Sequence, residues 1–238
     1  MTHHGGDGAG SGIGLVTSAM IIRDGGSVLA VDKVEDRLVA ARQRLGEAYT
    51  PLAIDITSPT APATIAQAVD GPVDILVNNA GVMDGFLPLA ELDDETWEHV
   101  MAVNITAAVR LTARHDLRGP RSDRERVERG RAQVDLRGPG LLDLKGGSER
   151  VHPACRGSVF LRRRSLQCGG AGAVNTTPTD ILSSLAIERL DPIMMSTSCG
   201  RRAEPDMIAN AICFLADDHA AVNINGVVLP VDAAWSVM

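Results

Sequence analysis

The 238-residue sequence predicts a single α/β domain, residues 1–238, built on a doubly wound parallel sheet. Three observations predict it. Short apolar runs ending in polar residues alternate with stretches of helical spacing, a glycine-rich turn GAGSGIG (8–14) opens the first helix, and an acidic residue, Asp32, closes the next strand about 20 residues later.

Taken in order, SVLAVD (27–32), TPLAID (50–55) and VDILVNNAG (73–81) are the strand candidates. A strand covered by helices on both faces is apolar along its whole length and delivers side chains at its carboxyl end, which is the pattern these runs show. Between them, residues 34–46 and 60–69 carry helical spacing. LDDETWEHVMAVNITAAVRLTA (92–113) reads as one long helical region, its acidic opening suited to the positive end of a helix dipole. EPDMIANAICFLADD (204–218) places proline in its first turn and apolar residues at helical spacing, and NGVVLPVDAAW (225–235) reads as a last strand.

The glycine turn is the strongest chemical signal. Glycines let backbone N–H groups approach a pyrophosphate, whose negative charge is favoured at the N-terminus of the following helix. Asp32 strengthens the reading, because a carboxylate at that strand end accepts hydrogen bonds from both ribose hydroxyls and repels a 2′-phosphate. The cofactor expected is therefore NAD rather than NADP.

These residues also carry a family resemblance. DGAGSGIG resembles the glycine turn of the short-chain dehydrogenase/reductase family, and DIT (55–57) is similar to its adenine-contacting segment. NNAG (78–81) resembles the motif ending its fourth strand, VNIT (103–106) its helix asparagine motif, and GAVNT (172–176) the tail of P-G-x-V-x-T. The resemblance implies a Rossmann-like fold and a dinucleotide held by Gly8, Ser11, Gly12, Ile13, Gly14, Asp32, Asp55, Ile56, Asn79, Ala80, Gly81 and Thr176, with Asn104 supporting a proton relay. It further implies hydride transfer between NAD and a small-molecule alcohol or ketone, and a homo-oligomer.

Three departures stand against that pattern. Asp7 occupies the place of the family's threonine, and MTHHGG (1–6) replaces the apolar first strand that is central to such a sheet. The family's reaction uses a tyrosine as general acid/base, a lysine four residues on that lowers its pKa, and a serine that holds the substrate oxygen. Here the sole tyrosine, Tyr49, is followed four residues later by Ala53, and the only lysines are Lys33 and Lys145. The sequence contains no Tyr-x-x-x-Lys.

Residues 115–171 differ from their flanks. From 115 to 166 there are twelve arginines, one lysine and seven acidic residues, a net of +6 inside a chain of net charge −7. From 116 to 164 neither a two-residue nor a 3.6-residue period is sustained. Strands one, five and six of the expected sheet are not recognisable. QCGGAG (167–172) can be encoded so that reading one base later gives Asn-Ala-Val-Ala-Pro-Gly, the peptide the family places before its x-V-x-T tail. Residues 115–171 are accordingly expected to be translated out of frame, between one frameshift near His115 and a compensating one near Gly172.

Composition limits the alternatives. The net negative charge and the lack of aromatics interleaved with Arg162, Arg163 and Arg164 argue against a nucleic-acid partner. No apolar run approaches the roughly 18 residues of a membrane span, and the N-terminal residues lack a signal-peptide pattern, so a cytoplasmic location is expected. Cys155, Cys168, Cys199 and Cys213 show no metal-ligand spacing and are expected to be reduced; no metal site is expected. The rival reading is a noncatalytic dinucleotide-binding or regulatory relative that keeps its cofactor site.

Overall fold

The computed structural model describes residues 8–70, 73–84, 89–113, 158–161, 164–167, 174–176, 203–217, 219–224 and 229–232. Helix α1 (Gly12–Arg23) leads to β1 (Val28–Asp32), α2 (Glu35–Leu45), β2 (Tyr49–Ala53), α3 (Ala61–Ala68) and β3 (Ile75–Asn78). A 3-10 turn (Leu89–Glu91) precedes α4 (Asp94–Met101), a π turn (Ala102–Ala107) and α5 (Ala108–Ala113). Two short strands, β4 (Ser158–Leu161) and β5 (Arg164–Gln167), and helix α6 (Pro205–Ala216) complete it.

β1 and β2 pair in parallel, Val28 opposite Tyr49 and Asp32 opposite Ala53. A parallel pair needs a crossover element, and α2 supplies it. Strand side chains alternate between faces, and the packing follows that alternation. Val28 and Ala30 lie with Leu38, Ala41 and Tyr49 under α2, whereas Leu29 and Val31 pack with Ala61, Ile65 and Leu111 from α3 and α5. β3 divides likewise: Ile75 and Val77 meet Ile13, Ile208, Ile212 and Leu215 of α1 and α6, and Leu76 meets the α3–α5 side. Helices thus cover both faces, which explains why the strands read as apolar runs.

Helix bounds follow local chemistry. Proline stands in the first turns of α3 and α6, where its missing N–H costs nothing. α4 begins after Asp93, whose carboxylate accepts a hydrogen bond from Thr96 N at 2.7 Å, and Asp94 and Glu95 add charge suited to the helix dipole.

The expected helical region over 92–113 is interrupted by the π turn, a difference whose cause is described below. A second difference lies inside 115–171. β4 pairs with β3 antiparallel, Asn78 opposite Ser158, and β5 pairs with β4 antiparallel, Leu161 opposite Arg164. The family's sheet would place a parallel strand there. Two strands joined by only two residues can pair only antiparallel, and four residues are too few to show a period in the sequence. The expected site of the first strand, residues 1–7, lies outside the described residues, as do most of 115–171 and of the expected strand 225–235. Of that strand, Leu229 and Val231 pack against the α1–α6 core.

Candidate dinucleotide site

Gly8 and Ala9 enter the turn beside the carboxyl end of β1, where Ala9 N donates to Val31 O at 3.0 Å. Space there is so short that side chains are excluded. A Cβ on Gly8 would lie 2.6 Å from Asp32 Oδ2, one on Gly10 would lie 2.8 Å from Arg37 Cβ, and one on Gly14 would collide with the carbonyl oxygen of Gly8. Gly12 has φ +52°, a left-handed conformation that favours glycine, at the first residue of α1. Ile13 is buried and anchors the helix start against α6.

The first N–H groups of α1 have no partner in the preceding turn of helix and gather partial positive charge. Together with three glycine positions that only hydrogen fits, they make a cradle suited to a pyrophosphate. Arg37 reaches over from α2, its Nη1 donating a long 3.4 Å hydrogen bond to Ser11 Oγ.

Asp32 is only 3% exposed, so its charge must be met by donors. Oδ2 accepts from Gly10 N and Oδ1 from Val34 N, both at 3.0 Å. The carboxylate therefore shapes the turn, and its remaining lone pairs can still accept from hydroxyl groups. Ile54 N donates to Asp32 O at 2.9 Å, which brings Asp55 and Ile56 to the next strand end.

Asp55 closes a local turn, accepting from Thr57 N at 2.8 Å and from Thr57 Oγ1 at 2.7 Å. Partial burial alone would raise its pKa, but the two Thr57 donors, aided by Lys33 and His99, outweigh it and hold the carboxyl below its ordinary value. A lowered folded pKa stabilises only where the carboxylate is ionised. Accordingly, the stability difference between the chain and Asp55→Asn is expected above about pH 4 and should vanish as pH falls through the folded pKa. Chemical denaturation across pH checks this, and a difference that persists in acid would contradict it.

Beyond β3, Asn79 is buried, and its Nδ2 would stand 2.8 Å from a Cβ on Gly14. The NNAG segment therefore abuts the glycine turn directly, carrying Ala80 and buried Gly81 with it. Asn104 lies on the π turn and grips the next residue: Oδ1 accepts from Val82 N at 2.8 Å and Nδ2 donates to Val82 O at 2.9 Å. Such bulges in α-helices recur at functional sites. Here Asn104 within the bulge satisfies both backbone groups of Val82, binding the helix to the strand end. Asn104→Ala would leave both groups without their partner, a loss of roughly 2–3 kcal/mol. Denaturant unfolding and faster hydrogen exchange at the Val82 amide are the expected readouts.

Val174 packs in the same core as Ile13 and Ile75. Asn175 N donates to Ala203 O at 2.9 Å and Asn175 Nδ2 to Glu204 Oε1 at 2.7 Å, so the segment carrying Thr176 is tied to the start of α6. Tyr49, by contrast, is fully buried, and its hydroxyl donates to Ala9 O at 3.0 Å beneath the turn. Sequence reasoning assigned it no part in the site; nothing at the level of spacing marks it. Lys145 lies outside the described residues. Among the described residues no three acidic, histidine or cysteine side chains gather as metal ligands, and no helix is long and apolar enough to cross a membrane.

A sequence profile described as "short chain dehydrogenase" matches residues 7–115. The chain is 32% identical to galactitol 2-dehydrogenase (L-tagatose-forming) of Cereibacter sphaeroides, over 97% of this chain and 93% of that protein. Among solved structures it resembles 3-ketoacyl-(acyl-carrier-protein) reductase of Brucella melitensis complexed with NADH, with TM-score 0.63, 20% identity, and coverage of 96% of each chain. A second is a gluconate 5-dehydrogenase of Beutenbergia cavernae with bound NADP, described as putative, with TM-score 0.65, 24% identity, and coverage of 97% of this chain and 95% of that one. At those identities the two structures establish the fold, and with the sequence relatives the conclusion is that this chain belongs to the short-chain dehydrogenase family.

Proposed function

We propose that this chain binds NAD at the turn formed by Gly8, Ser11, Gly12, Ile13 and Gly14, and that it descends from an NAD-dependent oxidoreductase acting on a small-molecule alcohol or ketone. The observation that carries the reading is Asp32, buried at the end of β1 with its carboxylate bonded to the turn. A ribose bearing a 2′-phosphate would bring a second negative charge against it. Asp55 and Ile56, on the segment that resembles the family's adenine-contacting one, and Asn79, Ala80, Gly81 and Thr176 would hold the rest of the dinucleotide.

Bound NAD supplies the hydride acceptor. The chain's own contribution would be to hold it and, through Asn104, to fix the backbone of Val82 after the NNAG segment. A proton must also leave the substrate hydroxyl as hydride moves, and that task lacks its tyrosine and lysine. Binding without turnover is the behaviour that follows. Residues 115–171 read as translated out of frame, which accounts jointly for their arginine excess and for the missing pair.

The test is a turnover assay of purified chain of verified mass with NAD and a panel of alcohols, joined to resequencing of the source DNA across codons 110–176. NADH formation above background would overturn the inactive reading. Restored frames revealing a Ser and a Tyr-x-x-x-Lys would show the ancestral enzyme intact.

A further inference from the structure

We propose that Tyr49 is a positioning residue for the dinucleotide: its buried hydroxyl holds the Ala9 carbonyl away from the pyrophosphate and so keeps the glycine turn open to an anion. The inference rests on the cofactor reading given above.

The hydroxyl is itself firmly placed. Tyr49 begins β2 opposite Val28, its N donates to Gly46 O, and Arg42 Nη1 donates to both Gly46 O at 2.7 Å and Tyr49 O at 2.8 Å. The ring is packed among Ala30, Leu38 and Ala41, with Ala9 and Leu15 against the same cluster. It cannot swing without disturbing that core.

Three hydrogen bonds then fix the Ala9–Gly10 peptide and its neighbour. Ala9 N donates to Val31 O, Gly10 N donates to Asp32 Oδ2, and Ala9 O accepts from Tyr49, each at 3.0 Å. The third bond decides the polarity of the turn. A carbonyl oxygen carries partial negative charge, and one aimed at the N-terminus of α1 would repel a phosphate that the helix attracts. Tyr49 draws that oxygen into the core. Burial, aided by the nearby Asp32 charge, pushes the phenol up to about 12, so it remains a donor across the working pH range.

Tyr49→Phe keeps the ring and removes only the hydroxyl. It is expected to weaken NADH and ADP about fivefold, the net worth of one neutral hydrogen bond, and to leave adenosine unchanged because adenosine carries no phosphate. A purely structural role would lower the thermal midpoint and leave the affinities of the folded protein alone. Equal loss for adenosine, or no loss for ADP, overturns the proposal. Wild-type chain that binds neither NADH nor ADP overturns the cofactor reading itself, and the tether with it. Should Tyr49→Phe fail to fold, the unsubstituted chain grown with 3-fluorotyrosine decides the matter, since its one tyrosine gives one fluorine resonance. Movement of that resonance on saturation with ADP supports the tether, and a stationary resonance overturns it.

Discussion

Gly14→Ala is expected to abolish measurable NADH binding and to lower the thermal midpoint. The added Cβ would collide with the carbonyl oxygen of Gly8 and stand 2.8 Å from Asn79 Nδ2. A long surface side chain would move aside, but a backbone oxygen at the entrance to the turn cannot move alone. Gly8 has no room to retreat, because Asp32 stands 2.6 Å from where its own Cβ would be. Overpacking of this kind costs about 1–3 kcal/mol, and here the strain falls on the N–H groups proposed to face the pyrophosphate. Calorimetric titration with NADH and a thermal melt of the same sample check it. Unchanged affinity would show that Gly14 is not part of the site.

Asp32→Ala carries the second large effect, for two separable reasons. Gly10 N and Val34 N would lose a charged acceptor in a nearly sealed position, a destabilisation of roughly 3 kcal/mol or more. The ribose would also lose its carboxylate, and the 2′-phosphate of NADPH would no longer meet a negative charge. NADH affinity should therefore fall on the order of a hundredfold, while the preference over NADPH collapses. Parallel titrations with the two dinucleotides separate the effects: a damaged turn weakens both equally, whereas loss of charge discrimination weakens NADH alone.

Much of this arrangement was legible in the residues. The runs 27–32, 50–55 and 73–81 overlap β1, β2 and β3; β1 and β3 pack helices on both faces and read as apolar stretches, whereas in β2 Thr50, Pro51 and Ala53 are exposed. Residues 34–46, 60–69 and 204–218 became α2, α3 and α6, with proline marking two of the starts. The glycine turn and Asp32 both stood out in the sequence, but the hydrogen bond from Gly10 N to the Asp32 carboxylate did not.

What was not legible depends on contacts between distant residues. Nothing in AVNITA distinguishes a π turn from an ordinary helix; the extra residue is stabilised by a bond from Asn104 to Val82, twenty-two positions away. In the sequence Tyr49 stood out only because Ala53, not lysine, lies four residues on. Its role comes from the register of β2 on β1, which slides its hydroxyl under Ala9, forty positions earlier. The β4–β5 hairpin was missed because two four-residue strands among arginines and glycines leave no periodic trace.

The central proposal is an NAD site in a chain without Tyr-x-x-x-Lys. Its most direct test is calorimetric titration of the full, unsubstituted chain with NADH and, in parallel, with NADPH. Saturable binding of NADH with markedly weaker binding of NADPH is the predicted result. No heat of binding with either dinucleotide, or equal affinity for both, would contradict it.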